Sequence, residues 1–274
     1  MSNDYLDFYS KHNISPVHQD ITDFNLHLQR RSKLYRQCGI PIRAFKNAKI
    51  LDVGPGNGYN TLAFFYWIGT GVKCDLVEAN KLGIVNMKKL FQHYCINETM
   101  YEIFESKIEN YQTDKKYDII IAEGFLHFLD NQREVIERLK CLTNDDGIIV
   151  ITSTDSVGLF VEVMKRLIAQ IIVKDIPDHQ MKVEKLTEIF EPQLHLLKGV
   201  SRPACDWVED QLLNPALVNK NELTFLQAIE MFGKDYDVLG SSPHIFTKTR
   251  RDAPDFSHGE ERRNSFLFFL LSMI

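Results

Sequence analysis

The stretch that most constrains this chain is Lys49-Ile50-Leu51-Asp52-Val53-Gly54-Pro55-Gly56-Asn57-Gly58-Tyr59-Asn60. Apolar residues leading into an acid, then glycines at 54, 56 and 58, predict a buried strand entering a tight turn. The apolar run from Thr61 to Ile68 follows at once and predicts a helix. Glycine adopts positive φ and lets a ligand approach the main chain, while the unpaired N–H groups opening the next helix favour a carboxylate or phosphate. A ligand-binding turn is therefore expected. A dinucleotide-type GxGxxG would need a small residue at 59, where Tyr59 stands, so the pattern is DxGxGxG.

The chain then alternates. Val72 to Glu78 reads as a strand ending in an acid, Lys81 to Tyr94 as an amphipathic helix, and Tyr101 to Phe104 as a third strand. Tyr117 to Ala122 is a strongly apolar fourth strand, and a helix is expected from about Asn131 to Cys141. A turn at Asp145-Asp146-Gly147 precedes a fifth strand, Ile148 to Thr152, and a long helix capped at Asp155 or Ser156 reaches about Val173. Continuous apolar strands alternating with helices predict a parallel sheet covered on both faces, a doubly wound α/β domain. Further on, Leu186 to Phe190 reads as helix, Gln193 to Lys198 as a sixth strand, Glu222 to Phe232 as helix and His244 to Thr247 as a final strand. Upstream, one or two helices are expected between about 18 and 38. From His27 to Lys49 the chain has Arg30, Arg31, Lys33, Arg36, Arg43, Lys46 and Lys49 and no acid. This is either a solvated face or a local anion site.

In doubly wound folds the ligand sits over the C-terminal ends of the strands. Glu78 ends the second strand, 20 residues after Gly58. A carboxylate there can accept hydrogen bonds from both hydroxyls of a ribose.

The turn, Glu78 and the fourth-strand run KYDIIIAEGFLHFL together resemble class I S-adenosylmethionine-dependent methyltransferases over about residues 45 to 152. The resemblance implies a mostly parallel, seven-stranded Rossmann-like sheet with S-adenosyl-L-methionine as cofactor. It implies cofactor contacts from Asp52, Gly54, Pro55, Gly56, Gly58, Tyr59, Asn60, Glu78, Ala79 and Glu123. Where the family often has an adenine-side aspartate, this chain has Ser106 or Lys107, with Ile108 as a packing contact. Methyl transfer is an in-line displacement governed by alignment, and a hydroxyl acceptor also needs a base. His127, four residues beyond Glu123, is the candidate base, and Glu123 the candidate positioning group; an aromatic-flanked histidine can equally well simply pack.

The resemblance also implies an antiparallel last strand, whose start would bring Gly240 to His244 to the substrate mouth. The loop Gly199 to Asp210 would open there too, presenting Arg202, Asp206 and Trp207, with core packing as the plainer role for Trp207. His12, His18, Gln19 and Asp20 belong to a segment that acts as a lid in such folds. Candidate substrate contacts are thus His18, Asp20, Arg30, Arg31, Arg202, Trp207 and His244. A catechol-type metal site would need several converging acids, which Glu123-Gly124-Phe125 does not supply, so no metal is expected.

The expected organisation is a helical cap over 1–44, an α/β core over 45–175, remaining strands with substrate-side insertions over 176–250 and a charged, then apolar, tail over 251–274. A net charge of −5 argues against a general nucleic-acid binder, and five scattered cysteines without a CxxC pair suit a reducing cytoplasm. The apolar run Phe266 to Ile274 is nine residues, less than half a membrane span, and reads as a docking strand or helix end or a peripheral anchor. The expected partner is a small acceptor, anionic or sugar-type. Aminopropyl transfer from an adenosyl sulfonium and non-catalytic cofactor binding remain open beside methyl transfer, with a nicotinamide dehydrogenase disfavoured by the 58–59 spacing.

Overall fold

Strand β1 (Ile50–Val53) is buried on both faces and anchors the sheet. A computed structural model describes residues 5–14, 19–68, 73–154, 159–196, 202–217, 223–242 and 265–271. On one side β1 pairs in parallel with β2 (Cys74–Glu78), Val53 opposite Val77. On the other it pairs with β4 (Tyr117–Ala122), Asp52 opposite Ile121. Adding β3 (Tyr101–Glu105) beside β2 and β5 (Thr143–Ser153) beside β4 gives five parallel strands in the order β3-β2-β1-β4-β5. Beyond β5 the sheet continues through β7 (Ser265–Leu271) to β6 (Tyr236–Ser242), both parallel to their neighbours.

Alternation along the strands sorts the core into two layers. Ile50, Cys74, Leu76, Ile119 and Ile121 pack against α2 (Phe24–Gln37), α3 (Thr61–Trp67) and α4 (Lys81–His93), through Tyr35, Phe64 and Phe91 among others. Leu51, Val77, Ile120, Ile149 and Ile151 face α5 (Gln132–Leu142) and α9 (Phe225–Phe232), with Val135, Leu139 and Phe232 filling that side. A third cluster lies between α6 (Phe160–Val173), α7 (His179–Leu196), α8 (Ala204–Val208) and a π-helical turn at Glu209–Leu213. The N-terminal helix α1 (Tyr5–His12) joins this helical insert by the Tyr9 hydroxyl, which donates to Asp210 at 2.5 Å.

Several expectations need correction. Residues 193–196 are helix, not strand: Val183, Leu186, Phe190 and Leu194 recur at helical spacing on one buried face, and α7 continues through Pro192. The outer strands are parallel rather than ending in an antiparallel one, and the apolar run from 266 is part of β7 between β5 and β6. The expected turn at 145–147 lies inside β5 as an irregularity, where the register against β4 shifts between Tyr117 and Ile119. A Cβ on Gly147 would stand 2.4 Å from Thr143 Cγ2, so only glycine fits that kink. His244–Thr247 and the charged stretch 249–264 lie outside the described residues. Among the described residues no helix is long and apolar enough to cross a membrane.

Candidate functional site

The β1–α3 turn holds three glycines in the left-handed region, with φ of +68° at Gly54, +57° at Gly56 and +79° at Gly58. Gly58 carries a second constraint. A Cβ there would meet Met87 Cγ at 2.7 Å and the Phe91 ring at 2.8 Å. Gly54 is similarly covered by Phe125, 3.0 Å from the position its Cβ would take. Beneath the turn Asp52 is buried and accepts a hydrogen bond from the Thr61 hydroxyl at 2.6 Å. Burial pushes its carboxyl up to about 7; the Glu123 and Glu78 charges add to that, while the Thr61 bond and Arg31 oppose it.

Glu78 closes one side. Its two carboxylate oxygens accept the Asn80 and Gly56 backbone N–H groups, each at 2.7 Å. Burial raises its pKa and these backbone donors pull it back. Asn80 caps α4, its side chain accepting from Gly83 N–H at 2.9 Å, and its amide reaches the Ile14 carbonyl at 3.4 Å. The chain after β3 follows beside Glu78, whose carbonyl accepts from Ser106 N–H at 3.0 Å. There Lys107 is exposed and Ile108 is buried in the core.

Glu123, one residue past β4, is held from above by α2. A single Arg31 guanidinium nitrogen lies 2.8 Å from both of its oxygens, and the Tyr35 hydroxyl donates to Oε1 at 2.5 Å. The same Arg31 nitrogen donates to the Tyr35 hydroxyl at 2.7 Å. Burial works against the Arg31 charge, but Glu123 and Tyr35 outweigh it and its pKa is raised. Burial also raises Tyr35, and pushes the nearby Cys38 thiol up to about 12. Gly124, at φ +80°, donates its N–H to the Thr152 hydroxyl at 3.0 Å and so ties the end of β4 to β5.

The N-terminal segment meets the turn at two more points. His27 Nε2–H donates to the Tyr59 carbonyl at 2.8 Å; burial lowers the pKa of this imidazole, and the bond to the carbonyl opposes that shift. Gln19 donates to the Asn60 side chain at 3.3 Å. From the helical insert, the Asp206 charge contributes to a raised Tyr59 pKa, behind burial and Tyr94.

The remaining expected residues scatter. Pro55 and Ala79 are half-buried at the turn and after β2. His127 sits half-buried on a short 3₁₀ turn, Leu126–Phe128, just after Glu123. Asp20 is exposed and accepts the Thr22 N–H at 3.0 Å, and Arg30 is exposed. Arg202 pairs with Asp210 at 2.8 Å, and Trp207 is buried in the insert under Lys165, whose Nζ lies 5.4 Å from the ring centre. His18 and His244 lie outside the described residues. The sequence reading missed Tyr35, His27, Thr61 and Asn80. Only the stripe His27, Arg31, Tyr35, spaced by four, carried a signal, since it marks one buried helix face.

A parallel sheet of this order, with a glycine turn after β1 and a buried carboxylate ending β2, defines a class I methyltransferase fold. Residues 44–193 match the methyltransferase domain family, and the chain belongs to it. PKMT2 from Rickettsia typhi is similar in structure, with a TM-score of 0.53 and 20% identity, over 76% of this chain and 41% of that one. The same protein in complex with AdoHcy gives a TM-score of 0.51 at 20% identity, over 76% of this chain and 42% of that one. The chain thus spans about two fifths of that protein's length, and the likeness concerns the fold. No curated protein matches the sequence significantly. S-adenosylmethionine is the cofactor such a domain uses, and the residues present fit it. Backbone N–H groups fix both Glu78 oxygens, Asn80 on one and Gly56 on the other, and orient the carboxylate as an acceptor for hydroxyls; the turn admits close approach only because its three positive-φ positions are glycine.

Proposed function

We propose that this chain transfers a methyl group from S-adenosylmethionine to a small acceptor of anionic or sugar type. The observation that carries the reading is the Glu78 carboxylate, buried and fixed by Gly56 and Asn80 beside the glycine turn. Glu78 would take the ribose hydroxyls, Gly54 to Gly58 the methionine end, and Ile108 the adenine side. When bound, the cofactor supplies an electrophilic methyl on a sulfonium.

The chain's own residues then bind, align and exclude water. Asp52, Glu78 and Glu123 place three acids around one turn, and their repulsion is limited because Asp52 holds its proton near neutral pH and Arg31 neutralises Glu123. Glu123 is a positioning group in this reading. Its carboxylate is engaged by Arg31 and Tyr35, so a proton from a hydroxyl acceptor falls instead to His127. In this reading residues 5–14 and 19–37 belong to a lid, supported by the bonds of Ile14, Gln19, His27 and Arg31 to residues lining the turn or the strand ends. The exposed bases Arg30, Lys33 and Arg36 on α2 support an anionic acceptor entering from that side, and β7 with β6 completes a seven-stranded sheet.

The test is incubation with S-adenosylmethionine and a panel of carboxylated, phosphorylated and sugar acceptors, with product masses read by mass spectrometry. A one-methyl increment with stoichiometric S-adenosylhomocysteine supports the reading. An aminopropyl increment would replace it with the related transfer, and cofactor binding without turnover on any acceptor would favour a regulatory role.

A further inference from the structure

Helix α6 is inside out. Its three charged residues, Glu162, Lys165 and Arg166, are all buried, while Phe160, Val161, Val163, Met164, Leu167, Ile168 and Ile171 are exposed. The buried charges are partnered, with one Glu162 oxygen, Oε2, left unbonded: Lys165 Nζ pairs with Glu162 Oε1 at 2.7 Å and lies over Trp207, and Arg166 Nε donates to the Gln211 carbonyl at 2.8 Å. The polarity is therefore built into the packing of the insert and is not a misplaced solvent face. Outward, the exposure reaches 62% at Phe160 and 60% at Ile171, with Leu167 at 54% between them.

We infer that this face of α6 is the contact between two copies of the chain, with the α6 helices antiparallel across a two-fold axis. Seven large apolar side chains over residues 160–171 make a stripe about 18 Å long. Such a stripe presents several hundred Å², at or above the roughly 300–600 Å² that monomers leave open, and most of the roughly 800 Å² each partner buries in a standard interface. An isologous contact sets each residue against its own kind of surface. The stripe suits that, because Gln170 is its only exposed polar neighbour within 160–171 and no charge would meet its own copy. Charge depletion at the centre is what interfaces between identical subunits show. A lipid surface fits less well, since an interfacial helix sets several cationic side chains beside its apolar face, whereas here Lys165 and Arg166 turn inward and of the basic residues of α6 and its C-cap only Lys174 is exposed. The inference stands independently of the methyl-transfer reading.

The test is sedimentation velocity on the full chain at high micromolar concentration. The expected result is a dimer, with Leu167→Glu raising its dissociation constant about 100-fold or more because two charges then face each other in an apolar contact. Thermal melting of Leu167→Glu checks that the variant folds. As a variant that keeps the face apolar, Leu167→Cys should yield on mild oxidation a dimer whose bridge peptide mapping places at position 167 in both copies, distinct from any bridge through the exposed Cys95, Cys141 or Cys205. A monomeric wild-type chain overturns the inference. So does a dimer that Leu167→Glu leaves intact, or a monomer that co-sediments with phospholipid vesicles.

Discussion

Replacing Glu123 by alanine tests how the N-terminal segment is fastened to the sheet. In the folded chain the Arg31 charge has Glu123 at 2.8 Å as its counter-charge, with side-chain exposures of 10% and 13%. Removing the carboxylate leaves a buried guanidinium with only the Tyr35 hydroxyl at 2.7 Å from the same nitrogen. Breaking a buried pair from one side costs about 3–5 kcal/mol, because the surviving charge is stranded. In a domain of this size that is a fall of about 10 °C in Tm, read by circular dichroism. Urea denaturation should give the same loss at constant slope. The double variant Arg31→Leu with Glu123→Ala removes both charges and should recover most of the loss; with Arg31→Leu alone it closes a double-mutant cycle that shows a large favourable coupling. A loss below about 1 kcal/mol for Glu123→Ala, or strict additivity in the double variant, would refute the fastening.

Asp52 sets a pH dependence. Its folded pKa, about 7, lies above its ordinary 3.8, so between those values the unfolded chain has released a proton that the folded chain still holds. Stability therefore falls as pH rises from about 4 to 7, by a few kcal/mol in all, and is level on either side. Asp52→Asn keeps an acceptor for Thr61 and should flatten that slope in melts taken across the window; an unchanged slope would rule out Asp52 as its source. Gly58→Ala should cost about 3 kcal/mol, from the left-handed backbone and from a Cβ pressed on Met87 and Phe91, and its Tm checks it.

The core of the fold was legible because its signals are local. Four strands with continuous apolar residues, and glycines where φ must be positive, declare themselves in a few residues each. Glu78 followed from its place at the end of a strand. What escaped was non-local or inverted. Arg31 and Glu123 are 92 residues apart, and nothing in the run of seven bases marks Arg31 as the one that turns inward. Its position on the stripe with His27 and Tyr35 does so only once the face is known. For α6 a helix reaching about Val173 is expected and found; it opens after Leu159, the expected caps Asp155 and Ser156 lie outside the described residues, and the sequence does not say which side of the helix faces the protein. The misread strand at 193–198 is a boundary error: Leu194 continues the buried face of α7 past Pro192, a residue type that usually ends a helix. The parallel edge is a tertiary matter, decided by where β7 inserts between β5 and β6.

The central claim is that the glycine turn and Glu78 together hold an adenosyl cofactor. Isothermal titration with S-adenosylhomocysteine tests it most directly. The unsubstituted chain should bind, and Glu78→Ala should bind at least about 100-fold more weakly, the loss of two hydrogen bonds to a charged group. Gly56→Val should abolish binding while a melt confirms folding. No binding by the unsubstituted chain, or full affinity in a folded Glu78→Ala variant, would contradict the account.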